Sequence, residues 1–120
     1  MTCVPSSIQR ILIPTLQTLE LVAVEDIVSI KAYENYSKIH LRNTKVYTST
    51  LSFGKILSIL QHNNFYQCHK SHLVNLNLIV RYHKNGEIEM PEGLKIPVAR
   101  RRKEEFINKL TQQVYSTVFS

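Results

Sequence analysis

The sequence predicts a mainly β domain, and three observations carry that prediction. Apolar and polar residues alternate in runs of strand length, turn residues punctuate those runs, and only two segments change to helical spacing. Strands do not alternate with long helices, which argues against a doubly wound parallel sheet. A chain of 120 residues is long enough for one domain with a real core.

Residues 1–8, with Pro5-Ser6-Ser7, read as a leader or linker remnant. Residues 115–120 read as a C-terminal tail, leaving 9–114 as the folded domain. Ile11-Leu12-Ile13 ends at Pro14, and Leu19, Leu21 and Ala23 face the other way from Glu20 and Val22. Ile27 to Ala32 is a β-branched run of strand length, interrupted by Tyr33-Glu34-Asn35-Tyr36. Strict alternation follows, with Ile39 and Leu41 on one face and Lys38, His40 and Arg42 on the other. Asn43-Thr44 then turns the chain into Lys45 to Ser49, giving an antiparallel hairpin.

Phe53, Ile56, Leu57 and Leu60 fall at i, i+3, i+4 and i+7, one stripe of a helix placed between Leu51 and His62. Thr50 is its expected N-cap, and Gly54 costs its interior about 1 kcal/mol. Asn85-Gly86 separates two strand-like runs and suits a type I′ turn, in which both residues take positive φ. Pro91-Glu92-Gly93 turns the chain into Leu94 to Val98. A closing helix is expected from about Arg101 to Val114, burying Phe106, Ile107 and Leu110.

Net charge is +6, and the surplus is uneven. Residues 61–103 hold eight Lys or Arg against three Glu. Such a balance points to nucleic acid, an acidic membrane surface or an acidic partner. Cys3 and Cys68 form no disulfide framework, and with no signal-peptide pattern a reducing cytoplasm is the expected compartment. No run approaches the roughly 20 apolar residues of a membrane span, so no membrane partner is expected.

Two polar, cationic segments stand out. One is Phe65-Tyr66-Gln67-Cys68-His69-Lys70-Ser71-His72-Leu73-Val74-Asn75, and the other is Ile96-Pro97-Val98-Ala99-Arg100-Arg101-Arg102-Lys103. Cys68, His69, His72 and His62 invite a zinc reading, but in an extended strand His69 and His72 project to opposite faces, and no second ligand pair completes a tetrahedron. No metal or cofactor is therefore expected. Catalysis has no nucleophile elbow, no phosphate-cradling glycine loop and no paired acids on one helix face, so the chain does not read as an enzyme. The run from Arg100 to Lys103 is either a solvated helix start or a polyanion contact, and cations at a helix N-terminus oppose the macrodipole unless an anion compensates. Asn35 serves either a turn, in left-handed backbone or an Asx-turn, or a base contact. Tyr33 reads as rim packing, Tyr36 stays open between packing and contact, and Asn75 and Asn77 read as partners for backbone groups.

The order Ala32-x-x-Asn35-Tyr36, a turn, Thr50-Leu51, Phe65-x-x-Cys68-His69-Lys70-Ser71-x-Leu73-Val74-Asn75 and Ile96-Pro97-Val98-Ala99-Arg100 resembles the LytTR DNA-binding domain of bacterial two-component response regulators. The likeness spans about residues 9–110. It implies an elongated, mainly β fold of small antiparallel sheets with one or two short helices. It also implies sequence-specific binding of double-stranded DNA by loops that enter successive major grooves, at tandem direct repeats in promoters. Base contacts would then come from Asn35, Lys70 and Arg100, whose side chains suit adenine and guanine edges. Lys38, His69, Ser71 and Arg101 would hold phosphates, with Tyr36 beside Asn35 in the same loop.

Ala99 departs from the serine common before that arginine, removing one hydroxyl. Cys68 stands where the family is often apolar or Cys, which favours packing. The resemblance further implies either the output half of a longer regulator or a stand-alone protein of this family. The first has a receiver domain on the same full-length chain and a sensor histidine kinase above it, and both place two domains side by side on DNA. The alternative is a protein-interaction or RNA-binding β module with a basic face.

Overall fold

The computed structural model describes residues 9–113. The expected leader, the tail and Val114 lie outside the described residues. Within them, strands β1 (Arg10–Pro14) and β2 (Leu19–Ala23) form a hairpin. Strands β3 (Ile27–Ala32), β4 (Ser37–Leu41), β5 (Val46–Ser49), β6 (Phe65–His69) and β7 (His72–Asn75) form a five-stranded sheet in the order β5-β4-β3-β7-β6. Strands β8 (Arg81–His83), β9 (Glu87–Glu89) and β10 (Lys95–Pro97) make a third sheet, ordered β10-β9-β8. All the pairings are antiparallel. Helices α1 (Phe53–Leu60) and α2 (Lys103–Gln113) complete the set. The fold is mainly β, as the sequence pattern indicates.

The central sheet is buried on both faces. Ile27, Ile30, Ile39 and Leu73 pack with Ile11, Ile13 and Val22 of the first hairpin and with Ile56 and Leu60 of α1. Val28, Val74, Tyr66 and Cys68 pack with Ile88, Met90 and Ile96 of the third sheet and with Phe106 of α2. A register shift between Ile27 and Ser29 lets Ile27 and Ile30, three residues apart, face the same core while Val28 faces the other.

Four expectations need correction. The N-cap of α1 is Ser52, whose Oγ accepts from the Lys55 amide at 3.2 Å. Thr50 is occupied elsewhere, its amide donating to the Pro14 carbonyl at 3.0 Å. The Asn85-Gly86 turn is not type I′. Its loop is Lys84-Asn85-Gly86 between paired His83 and Glu87, closed by the Gly86 amide on the His83 carbonyl at 2.9 Å, with only Gly86 at positive φ (104°). That is the three-residue hairpin with a glycine bulge. Asn43 and Thr44 are the pair that share positive φ, at 67° and 62°. The arginines do not open α2: Arg100–Arg102 form a 3-10 turn and the helix begins at Lys103, with Glu104 and Glu105 in its first turn, where acids suit the dipole.

His69 and His72 are the fourth correction. Lys70 and Ser71 make a tight turn between β6 and β7, so the two histidines become cross-strand partners with ring centroids 5.3 Å apart. Cys68 instead lies fully buried in the second core.

Candidate nucleic-acid interface

Antiparallel pairing places two turns at one end of the central sheet. Lys31 of β3 is opposite Lys38 of β4 and opposite His72 of β7, so the β3–β4 and β6–β7 turns emerge side by side. The Ala32 amide donates to the Ser71 carbonyl at 2.8 Å and ties them together. A third turn, Ala99 to Arg102, is fastened to β6. A register irregularity between Gln67 and His69 leaves Cys68 outside the ladder, and the Ala99 amide donates to the Cys68 carbonyl at 2.8 Å. Arg102 Nη1 donates to the Gln67 carbonyl at 2.7 Å. Asn35, Lys70 and Arg100 thus sit on three turns joined by backbone hydrogen bonds into one row.

The first turn is closed by the Tyr33 amide on the Tyr36 carbonyl at 2.9 Å, with Glu34 and Asn35 at its tip. Tyr33 and Tyr36 stack with centroids 4.8 Å apart and planes 9° from parallel. Lys31 and Lys38 bring their ammonium groups to 5.1 and 5.6 Å from the centre of the Tyr33 ring. Tyr33 is therefore rim packing, and it holds two cations. Asn35 is exposed and is not among the non-glycine residues with positive φ. Its side chain has no hydrogen-bond partner among the described residues, so neither turn role expected of it is observed.

In the second turn Lys70 is exposed, and its carbonyl accepts from Gln67 Nε2 at 3.3 Å. The Ser71 amide donates to His69 Nδ1 at 3.2 Å. With Nδ1 accepting, a neutral His69 carries its proton on Nε2, a donor suited to an anion. In the third turn Arg100 and Arg101 are exposed, whereas Arg102 is half-buried and held by β6.

These three turns carry one carboxylate, Glu34, against Lys70 and three arginines, with Lys31 and Lys38 just behind them. Lysines directly opposite one another in a sheet repel. The crowding shows in the histidines alongside. Burial, then His69, Lys31 and His40, pull His72 down to about 4, and its buried Nδ1 has no partner. Burial, then Lys38 and Lys31, lower His40 as well. The site is thus an array of cations with Glu34 as the one carboxylate on its turns, too few anions to neutralise it.

Other polar groups are committed to the fold. His83 lies 3.0 Å from the Glu89 carboxylate and Arg81 donates to it at 2.9 Å, and the His83 contact first, then Arg81, holds that carboxylate below its usual range. Arg81 is therefore paired within the third sheet and does not join the row. Cys68 Sγ donates to the Pro97 carbonyl at 3.4 Å, and burial pushes its thiol up to about 12, which fits packing. The Tyr66 hydroxyl donates to Glu105 Oε1 at 2.6 Å and anchors α2 on β6. Asn75 satisfies backbone, donating to the Ile27 carbonyl at 2.9 Å and accepting from the Asn77 amide at 3.0 Å. Asn77 Oδ1 instead accepts from the Asn64 side chain at 2.7 Å. The roles of Arg102 and Lys31 escaped sequence reading. Lys31 was legible only through its cross-strand register with Lys38.

Among the described residues no group of three His, Cys, Asp or Glu is placed to hold a metal ion, and no helix is long and apolar enough to cross a membrane.

The profile of the LytTr DNA-binding domain matches residues 17–111. A solved structure described as the LytTr DNA-binding domain of a methyl-accepting/DNA response regulator from Bacillus cereus superposes with a TM-score of 0.74. It is 18% identical, and the match covers 87% of this chain and 98% of that one. No curated protein matches the chain.

Proposed function

Because this chain belongs to the LytTR family of DNA-binding domains, we propose that it binds duplex DNA sequence-specifically through the three-turn row and regulates transcription. The observation that supports this most is the hydrogen-bonded alignment of Asn35, Lys70 and Arg100 at one cationic end of a rigid sheet. Lys70 and Arg100 are exposed donors suited to guanine O6 and N7, and the unengaged Asn35 amide suits adenine N6 and N7. Lys38, His69 Nε2, Ser71 and Arg101 hold phosphates and set the register, with Lys31 added to that group. Tyr36 supports Asn35 through its stack on Tyr33.

The same reading makes the chain an output domain. A receiver domain precedes it in the full-length protein, a sensor histidine kinase controls that receiver, and two such domains occupy promoter direct repeats in the bacterial cytoplasm. Domain limits of 9–114 belong to this proposal. The family is one of DNA-binding domains and not of enzymes. An RNA-binding or protein-docking role has no observation in its favour. Tyr33 is already engaged by Tyr36 and two ammonium groups, unlike the open rings on which single-stranded RNA stacks.

Binding should be titrated by fluorescence anisotropy from low to moderate salt. Log affinity should fall linearly with log salt, by about 0.9 for each phosphate neutralised, so a slope of about −3 follows from the three cations Lys31, Lys38 and Arg101. A flat response would remove duplex DNA as the ligand.

A further inference from the structure

Leu16 stands at the tip of the β1–β2 hairpin with 92% of its surface exposed. The turn itself is built by Thr15. Its Oγ1 accepts from the Gln17 and Thr18 amides at 3.2 and 2.9 Å, and its own amide donates to the Thr18 carbonyl at 2.8 Å. Leu16 contributes nothing to that hydrogen bonding. A lone exposed leucine needs no explanation, but this one forms a wall of a cleft.

The hairpin tip is fixed relative to the central sheet. The Pro14 carbonyl accepts from the Ser49 hydroxyl and the Thr50 amide, each at 3.0 Å. Ser49 pairs with Ser37, at the end of the sheet that carries the β3–β4 turn. The tip therefore extends the row beyond Asn35, on the side away from Arg100. Between tip and turn lies a cleft of about 580 Å³. Leu16 and Tyr36 form its apolar walls, Gln17 and Asn35 bring amides to it, and no Lys, Arg, Asp or Glu lines it.

That chemistry is wrong for a phosphate, which calls for cations. It fits a base that offers a methyl group next to a hydrogen-bond acceptor, and in the major groove that base is thymine. We propose that Leu16 is a specificity-determining residue. The cleft takes a thymine at the outer edge of the DNA site, its C5-methyl against Leu16 and Tyr36 and its O4 accepting from the Gln17 side-chain amide. The inference rests on the reading of Asn35 as a DNA-facing residue.

Uracil in place of thymine removes only the methyl. With a duplex selected by the wild-type chain, each thymine is replaced singly by uracil and affinity is measured for wild type and Leu16→Ala. At one thymine flanking the Asn35 contact, uracil should weaken wild-type binding about fourfold, the equivalent of one buried carbon group. Leu16→Ala should bind the thymine duplex more weakly by a similar factor and lose most of the uracil effect. Its melting temperature should match wild type, since Leu16 is exposed. Wild type indifferent to uracil throughout, or Leu16→Ala retaining the full effect, would overturn the inference and leave DNA binding intact. A wild-type chain that selects no duplex would end the proposed function and this inference with it.

Discussion

Arg102 Nη1 and the backbone carbonyl of Gln67 lie 2.7 Å apart, and this contact joins the arginine turn to the strand that leads into the Lys70 turn. Its neighbours Arg100 and Arg101 are exposed. Three successive arginines of identical chemistry thus divide into two surface cations and one strut. The division arises from the 3-10 turn, which cannot direct three successive side chains the same way.

Arg102→Ala should therefore destabilise the fold. Losing a half-buried hydrogen bond from a charged donor costs about 1.5–3 kcal/mol, visible as a lower urea midpoint. DNA affinity should fall too, through displacement of Arg100. Arg101→Ala should leave the midpoint unchanged. Equal stability of the two variants would refute the strut.

Lys70→Ala and Arg100→Ala should each cost about 1–3 kcal/mol on the preferred site and relax selection at one or two base positions, while binding to scrambled duplex changes much less. Arg101→Ala should weaken all sequences alike and reduce the salt slope by about one. Competition titrations with specific and scrambled duplexes check this. Identical behaviour of Arg100→Ala and Arg101→Ala would mean an undifferentiated basic patch.

Asn35→Ala should leave the melting temperature unchanged, because its backbone is not left-handed and its side chain bonds to no described residue. It should lose affinity on the preferred site as Lys70→Ala does. A fall in melting temperature without loss of sequence preference would return Asn35 to a turn role.

The histidines set an acid limit. His72 drops to about 4 in the folded chain, against about 6.5 when unfolded. Between those values the unfolded chain binds more protons, so stability is flat above about pH 7 and declines as pH falls from 6.5 toward 4. His40, also lowered, acts in the same direction. Melting followed from pH 7.5 to 5 should show this decline, and His72→Gln should reduce but not abolish it. A pH profile for His72→Gln that matches wild type would refute the assignment.

Local signals carried the strands and the cationic segments, since alternation and composition depend on near neighbours. Phe106 and the stripe from Phe53 to Leu60 were legible as core for that reason. The errors came where distant parts of the chain intervene. Thr50 has the chemistry of a cap, but Pro14 takes its amide. His69 and His72 face one another because two residues suffice to reverse the chain between them, a register set by pairing with β3 as well. Nothing beside Arg102 in the sequence indicates a carbonyl 35 residues away. The joining of the three turns was therefore not legible from composition or spacing. Only the resemblance, resting on the segments around Asn35, Lys70 and Arg100, brought those residues together.

The central claim is sequence-specific reading of duplex DNA by the three-turn row, and selection from a random duplex pool tests it most directly. The wild-type chain should enrich a defined motif arranged as direct repeats, and Arg100→Ala should lose preference at particular positions of that motif. A pool that stays random after repeated rounds, while still being retained at low salt, would contradict the claim and reduce the interface to a non-specific cationic surface.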